Sequence, residues 1–426
     1  TEGAPPHPPP TAPPPPPPPP ASPPPPLAPA EPKMTAVEQK PPADTSKGEA
    51  RRREEVQVCF LALGARFMAQ AVKVVLVIQA ATDSRVHYHF VTDPAKLRSN
   101  VDSKASTAPM QALQLKTFSV AMKALRLPYS LHAVPGSVWR KTAALGKAFG
   151  FRWKSTFYTL KLFLHRVLPT SVERVIVLDT DILAFEDIGF LWRSVGDTFS
   201  ESTMYGLVAE QQPTYWGCFT KATFQPIDAQ SGSFPMHKYG FSGFNGGVQV
   251  QALGAIRRNA AYNAVIDNPR RLWALVPTAS DVPHCRKRAV MNLGDQDLFS
   301  IIANRHPEWF RILPCSWNWQ ACRYYQASTR APKGVNLSIF ECPWGPRVFH
   351  GNCDDHGVLR SNRWKQWVFG VHDKILRGRF AEARAALRKH RWGFTRGEGH
   401  GGGRHEGPWA KLQRMRSVLV SHDIVP

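Results

Sequence analysis

The sequence has few acidic residues, no uninterrupted long apolar run and no closely paired cysteines. Among its 426 residues, 32 Asp and Glu stand against 54 Lys and Arg, so the formal net charge is +22. A charge of this sign favours anionic partners such as nucleotides, nucleic acids or acidic membranes, although a solvated basic surface gives the same total. The 13 Trp and 23 Phe exclude a wholly disordered chain.

No apolar run reaches the roughly 20 residues that a membrane-spanning helix requires. The nearest approach, residues 56–81, is interrupted by Arg66, Lys73 and three glutamines. A signal anchor in this segment is therefore disfavoured, and we expect membrane attachment only through an anchor outside this sequence.

The seven cysteines show no CxxC spacing, and this pattern disfavours a structural zinc site. Four of them, Cys315, Cys322, Cys342 and Cys353, fall within 39 residues. This clustering favours disulfides in an oxidising compartment, with one cysteine left over. The glycosylation sequon at Asn336 agrees with such a compartment.

The distribution of proline divides the chain into two regions of different composition. Of its 39 prolines, 21 lie between Pro5 and Pro42, and proline runs adopt an extended helix without backbone donors. Residues 1–55 are therefore predicted to be a disordered Pro-rich arm or stalk. We expect one α/β domain, large enough for an enzyme, over 56–370, and a basic helix with a Gly/His-rich tail over 371–426.

Hydrophobic periodicity predicts a parallel sheet covered by helices. Apolar runs at 58–63 and 87–91 flank a helical pattern over 67–79, which is a βαβ unit. The aliphatic run 175–178 is typical of a strand buried on both faces. Further strands are predicted at 205–209 and 247–250, helices at 157–167, 298–305 and 374–391, and a substrate loop at 211–244.

Two carboxylates follow the 175–178 strand. Asp179 and Asp181 lie two residues apart, so both start on the same side of an extended chain. At the carboxyl end of a parallel strand that side opens onto the ligand crevice of α/β folds. Close carboxylates favour a cation such as Mg²⁺ or Mn²⁺, which can grip a diphosphate. An ordinary polar turn is the alternative.

Three further motifs carry polar groups that can reach a ligand. Asn245 and Gly246 precede a predicted strand, and glycine permits close approach of the backbone to a ligand. Asp295 and Gln296 open a predicted helix, where an acidic residue also caps free amides. His350 ends an apolar pair and suits a third metal ligand beside carboxylates. The structural alternatives are a turn, a helix cap and a buried histidine.

The ordered motifs F-V-T-D, V-L-D-T-D, F-N-G-G-V, G-D-Q-D, L-P-C-S-W-N and H-G-N resemble glycosyltransferase family 8. The likeness is greatest to the LARGE-type xylosyl/glucuronyltransferases and the glucoside xylosyltransferases, and it covers roughly residues 57–355. The resemblance implies an α/β GT-A fold, in which a Rossmann-like, mostly parallel sheet flanked by helices merges with an acceptor-binding half.

The resemblance also implies roles for individual residues. Asp295 and Gln296 match positions around the anomeric carbon and are the expected catalytic residues. The expected ligands of Mn²⁺ (or Mg²⁺) are Asp179, Asp181 and His350. The expected contacts of the UDP-sugar and its metal are Leu63, Gly64, Ala65, Lys161, Asp179, Thr180, Asp181, Asn245, Gly246, His350 and Gly351. The family's lysine after the His-Gly pair is missing, so Arg323 or Arg347 would contact the diphosphate instead.

The resulting hypothesis is a metal-dependent retaining hexosyl- or pentosyltransferase. It would transfer a sugar from a UDP-sugar to a hydroxyl of a glycan or glycoprotein acceptor. Xylose is the favoured sugar, and the acceptor can be anionic. UDP-glucuronic acid, UDP-glucose and UDP-galactose are the alternative donors. The family's eukaryotic members indicate the lumen of the secretory pathway, and the Golgi in particular. A basic polyanion- or nucleic-acid-binding protein is the non-enzyme alternative, but the sequence contains no defined nucleic-acid-binding motif.

Overall fold

The computed structural model describes residues 54–63, 65–92, 118–278, 290–320, 342 and 346–351, with gaps at 119, 121, 197, 213–214, 216–217, 220–224, 227–240 and 291, and positions 370, 371, 374, 379 and 382. The chain divides into two units, Thr1–Gly48 and Glu49–Pro426, and the described residues all lie in the second. The Pro-rich arm and most of the C-terminal helix and tail fall outside them, so the domain boundaries at 55 and 370 stay predictions. Among the described helices, none is long and apolar enough to cross a membrane.

The first half of the domain contains the predicted βαβ unit. Strand β1 (Val56–Leu61), helix α1 (Ala65–Ala81) and strand β2 (Val86–Thr92) follow one another, and β1 pairs in parallel with β2. The aliphatic strand β4 (Val175–Leu178) pairs with the other side of β1 and is fully buried. Strand β3 (Tyr129–Ala133) extends the sheet beyond β2.

The helix predicted at 157–167 is two elements. After helix α2 (Gly136–Phe149), helix α3 (Trp153–Tyr158) ends and a 3₁₀ helix runs over Thr159–Arg166. The Thr159 hydroxyl donates to the Thr156 carbonyl at 2.7 Å, a local bond that suits the tighter i, i+3 spacing. The 3₁₀ helix turns the Lys161 side chain into the sheet, where it is 2% exposed.

The remaining elements complete the sheet and cover it. They are strands β5 (Ile182–Ala184), β6 (Tyr205–Ala209), β7 (Gln225–Pro226), β8 (Phe244–Gln251), β9 (Phe310–Leu313), β10 (Trp319–Gln320) and β11 (Val348–His350), helices α4 (Ile188–Gly196), α5 (Leu253–Arg258), α6 (Ala260–Ile266), α7 (Pro269–Trp273) and α8 (Asp295–Arg305), and short 3₁₀ turns at Pro307–Trp309 and Cys315–Asn318. Helix α8 contains the predicted 298–305 helix and begins three residues earlier.

The strands form an eight-stranded sheet of order β3-β2-β1-β4-β8-β6-β9-β7 and a three-stranded sheet of order β10-β11-β5. In the large sheet, β8 runs antiparallel to β4 and β6, and the other pairs are parallel. The expected mostly parallel sheet is therefore confirmed. Because β8 is reversed, its first residues lie beside the carboxyl ends of β4 and β6.

The position of the F-N-G-G-V motif differs from the prediction. Asn245 and Gly246 were expected before a strand at 247–250, but β8 begins at Phe244 and contains both of them. The reason is the partner strand, because Phe244 and Asn245 pair with the last residues of β6 across a bulge. The motif therefore faces the ligand edge from within the sheet.

Candidate active site

The side chains of Asp179, Asp181 and His350 lie close together. One ligand atom from each lies within 4.8 Å of the others. His350 Nε2 is 3.4 Å from Asp181 Oδ1 and 3.7 Å from Asp179 Oδ2. Two carboxylates and an imidazole are a donor set that suits Mn²⁺ or Mg²⁺. The three residues expected as metal ligands are thus within reach of a single ion.

Backbone contacts along the three-stranded sheet hold this cluster in place. Strand β11 pairs antiparallel with β5, which sets His350 opposite Ile182, and the Gly351 N–H donates to the Asp181 carbonyl at 2.8 Å. The histidine ring lies against β8, where a Cβ on Gly247 would be 2.2 Å from the ring. Only a glycine at that position leaves room for the imidazole.

Lys161 lies at the centre of the site. Its ammonium donates to Asp179 Oδ1 and to the Gly246 carbonyl, each at 2.8 Å, and lies 3.3 Å from Asp295 Oδ2. Burial lowers the pKa of Lys161, but the charges of Asp179 and Asp295 outweigh it and raise that pKa above its ordinary value. The ammonium therefore stays charged and connects the cluster of Asp179, Asp181 and His350 to α8.

Asp295 is the first residue of α8 and is buried. Its Oδ2 accepts from Gln249 Nε2 at 3.0 Å, and a Cβ on Gly246 would lie 2.4 Å from the same oxygen. Burial raises the pKa of Asp295 to about 6, with the Asp179 charge adding to the rise and Lys161 opposing it. The Asp295 carboxylate lies directly against β8 at Gly246.

Glu210 belongs to the site although sequence reasoning missed it. Its Oε2 accepts from Gln296 Nε2 at 2.5 Å and from Asn245 Nδ2 at 3.2 Å. Burial raises the pKa of Glu210 to about 7, and the hydrogen bonds from the two amides oppose the rise. The available signal was its place directly after the apolar run of β6, the same position that Asp179 takes after β4.

Asn318 is a second residue that the prediction did not select. Its Nδ2 donates to Asn245 Oδ1 at 2.8 Å, and the same oxygen accepts from the Gly247 N–H at 3.0 Å. The signal here was the L-P-C-S-W-N motif, which ends at Asn318. These bonds fix the Asn245 amide with its oxygen towards the 3₁₀ turn and its NH₂ group towards Glu210.

Other expected contact residues are placed at the rim or are not described. Thr180 is buried and donates to Gln70 Oε1 on α1 at 3.2 Å. Leu63 is half-buried after β1, whereas Gly64, the side chain of Ala65 and Arg323 lie outside the described residues. The Arg347 guanidinium lies over the Trp317 ring at 5.3 Å. Which basic group contacts a diphosphate therefore stays a prediction.

The cysteines are consistent with an oxidising compartment. Cys315 and Cys342 form a disulfide, as their clustering predicted, and Cys218 is disulfide-bonded too. Cys59, buried in β1, is a free thiol. The sequon at Asn336 lies outside the described residues.

Comparison with known proteins agrees with the motifs. No protein-family model matches the chain. Over 205 residues it is 29% identical to xyloside xylosyltransferase 1 of Mus musculus, covering 48% of this chain and 49% of that protein. It is 32% identical over 181 residues to xylosyl- and glucuronyltransferase LARGE2 of Mus musculus, covering 42% of this chain and 23% of the relative. The chain thus matches about half, or less, of these relatives.

The solved structures support the fold. The apo crystal structure of mouse xyloside xylosyltransferase 1 superposes with a TM-score of 0.50 at 22% identity, covering 70% of this chain and 98% of that one. The chain is similar in sequence to xyloside xylosyltransferase 1 and to LARGE2, and its fold is the GT-A glycosyltransferase fold.

Proposed function

We propose that the chain is a metal-dependent retaining glycosyltransferase that moves xylose from UDP-xylose to a hydroxyl of a glycan or glycoprotein. The observation that carries the proposal is the cluster of Asp179, Asp181 and His350 at the carboxyl end of the parallel strands, where α/β folds bind ligands. Xylose is the first donor because the relatives are named xylosyltransferases. UDP-glucuronic acid, UDP-glucose and UDP-galactose are the alternatives.

The cluster would hold Mn²⁺ or Mg²⁺ against the diphosphate of the donor. When bound, the ion supplies stabilisation of the negative charge that develops on UDP as it departs. His350 and Asp181 are buried and Asp179 is partly exposed, so the open side of the cluster is the Asp179 side. We place the donor diphosphate there.

On the sugar side, Asp295 and Gln296 would stabilise the positive charge that develops at the anomeric carbon. Lys161 and Gln249 hold the Asp295 carboxylate in place, and glutamine is a poor nucleophile, so stabilisation is favoured over a covalent intermediate. The acceptor oxygen forms its bond to the anomeric carbon on the face from which UDP leaves. Its proton passes to the departing phosphate oxygen, and the anomeric configuration is retained.

The test is release of UDP from purified full-length protein with a panel of four UDP-sugars and Mn²⁺. We expect UDP-xylose to be hydrolysed fastest, and both chelation and Asp181→Ala to abolish the activity while the melting temperature stays near that of the wild type. Asp267→Ala, which removes a carboxylate paired with Lys141 and Arg166 on the surface, is the matched control and should keep activity. Full activity after metal chelation would sink the mechanism.

We also propose the lumen of the secretory pathway, in the Golgi, as the place of action. The disulfide between Cys315 and Cys342 supports an oxidising compartment. Microscopy of the full-length protein with Golgi and cytosolic markers checks the location, and a cytosolic signal would contradict it.

The charge of the chain bears on the acceptor. The net charge of +22 favours an acidic glycan or glycoprotein acceptor.

A further inference from the structure

Glu210 is held rigidly at the ligand edge of the sheet. Its N–H donates to the Gly243 carbonyl at 2.7 Å, and its own carbonyl accepts from the Ser242 hydroxyl at 2.9 Å. A bulge between Leu207 and Val208 shifts the register of β6 against β8 just before it. Bulges commonly re-aim a side chain next to a functional site. The Glu210 side chain, 1% exposed, therefore has a fixed position.

The carboxylate of Glu210 connects two elements, strand β8 and helix α8. Asn245 lies on β8 and Gln296 lies on α8, and both donate their NH₂ groups to the same oxygen. In this contact the Glu210 oxygen is the acceptor and the two amide nitrogens are the donors. Each amide must therefore turn its NH₂ group towards Glu210 and its carbonyl oxygen away from it.

The direction of the Gln296 amide depends on this contact. Asn245 is also held by Asn318 and Gly247, whereas within the described part of the chain the Gln296 side chain has one hydrogen bond, the one to Glu210. A glutamine side chain has several rotamers and loses free energy when it is ordered. With the NH₂ group on Glu210, the partial negative charge of the Gln296 oxygen points to the opposite side.

Glu210 is not placed there for stability. Its other oxygen, Oε1, is buried and has no hydrogen-bond partner among the described residues. A buried acceptor without a partner costs free energy and calls for a functional explanation. Burial also raises the pKa of this carboxyl to about 7, which means that the fold disfavours its charge.

We propose that Glu210 is a positioning residue that orients the Gln296 amide, with Asn245, for the donor sugar. The inference rests on the proposed function, which assigns Gln296 to the anomeric carbon. The consequence is that Glu210 acts on turnover through Gln296, and that it leaves the binding of UDP and of the metal to other residues.

The experiment compares Glu210→Gln and Glu210→Leu in the full chain. The readouts are kcat and KM for UDP release from UDP-xylose, Mn²⁺ affinity by calorimetry, and melting temperature. We expect Glu210→Leu to lower kcat about 100-fold, because a displaced catalytic group loses that much, while KM and Mn²⁺ affinity stay within about threefold. Glu210→Gln keeps an acceptor oxygen and should restore kcat to within about tenfold of the wild type.

Two variants guard against loss of fold. Tyr262→Phe removes a hydroxyl that is buried against Tyr205 and the Leu162 carbonyl, and it should change the melting temperature but not kcat. If Glu210→Leu unfolds, Glu210→Asp decides, because the shorter side chain cannot reach both amides and should lower kcat at least tenfold. An Asp variant as active as the wild type would overturn the proposal.

Other outcomes also reject the role. A folded Glu210→Leu variant with kcat within threefold of the wild type overturns it, as does a folded Glu210→Gln variant as inactive as the leucine variant. Loss of Mn²⁺ binding in step with kcat would place Glu210 in metal binding instead and likewise overturn it. If the wild type releases no UDP from any donor, although it binds UDP and Mn²⁺, the proposed function itself fails before Glu210 is tested.

Discussion

The Lys161 ammonium lies 2.8 Å from Asp179 Oδ1 inside the sheet, with the lysine side chain 2% exposed. The same ammonium lies 3.3 Å from Asp295 Oδ2. The Lys161 ammonium therefore balances the charge of two carboxylates. One is Asp179, an expected metal ligand, and the other is Asp295, an expected contact of the donor sugar. This arrangement makes the lysine a structural requirement of the site as well as an expected contact of the donor.

Replacing Lys161 with methionine should lower the free energy of unfolding by about 3–5 kcal/mol, since it leaves the buried carboxylate of Asp295 without a counter-charge. Urea unfolding followed by tryptophan fluorescence measures the change. Lys141→Met is the matched control, because Lys141 and Asp267 pair at 2.6 Å with about a third of each side chain exposed, and such pairs contribute less than about 1 kcal/mol. Equal losses in the two variants would contradict the role of Lys161.

Gly247→Ala should weaken metal binding without unfolding β8. The added Cβ would lie 2.2 Å from the His350 ring, so the imidazole must move away from Asp179 and Asp181. We expect Mn²⁺ affinity, measured by calorimetry, to fall about 10- to 100-fold, the usual loss when a ligand's support is changed. Gly136→Ala, where the nearest atom is 3.7 Å away at the end of a flexible arginine, should bind Mn²⁺ like the wild type.

The sequence could predict the part of the site that depends on a short local pattern, namely the two carboxylates that follow strand β4. The run of β4 followed by Asp179 and Asp181 specifies a buried strand and two carboxylates on one side of it, and the structure has both. His350 lies about 170 positions further along the chain. Only the ordered series of motifs indicated that it would join them.

The contacts around Glu210 could not be predicted in this way. They depend on the reversal of β8, which brings Asn245 beside the ends of β4 and β6. Strand β8 is buried along its whole length although it contains Asn245, Gln249 and Gln251, and its sequence does not state whether it runs parallel to its neighbours. The direction is set by the connections and by packing across the whole sheet.

The disulfide between Cys315 and Cys342 should stabilise the ligand edge. It closes a separation of 27 residues, for which loop-closure entropy predicts about 3–4 kcal/mol. It joins the turn that carries Asn318 to the chain just before β11 and His350. Cys342→Ser should therefore lower the melting temperature and also weaken Mn²⁺ binding, whereas an unchanged Mn²⁺ affinity would show that His350 is held without it.

The histidines of β2 and β3 should make stability depend on acidity. His89 Nδ1 lies 2.9 Å from His132 Nε2, and His89 Nε2 lies 2.8 Å from Gln57 Oε1. Burial chiefly lowers the pKa of His89 from 6.5 to about 3, with the charges of His87 and His132 adding to the effect. The pKa of His132 is lowered as well, again mainly by burial.

The direction of the effect follows from proton linkage. Between pH 6.5 and about pH 3 the unfolded chain protonates His89 while the folded chain does not, so the contribution of His89 to the free energy of unfolding falls as pH falls through this window and is flat above it. Melting temperatures from pH 8 to pH 4 measure the slope. His89→Gln removes this titrating group and should make the slope below pH 6.5 shallower than that of the wild type, because glutamine stays neutral while His132 still titrates. A slope equal to that of the wild type would mean that His89 is already charged in the folded protein.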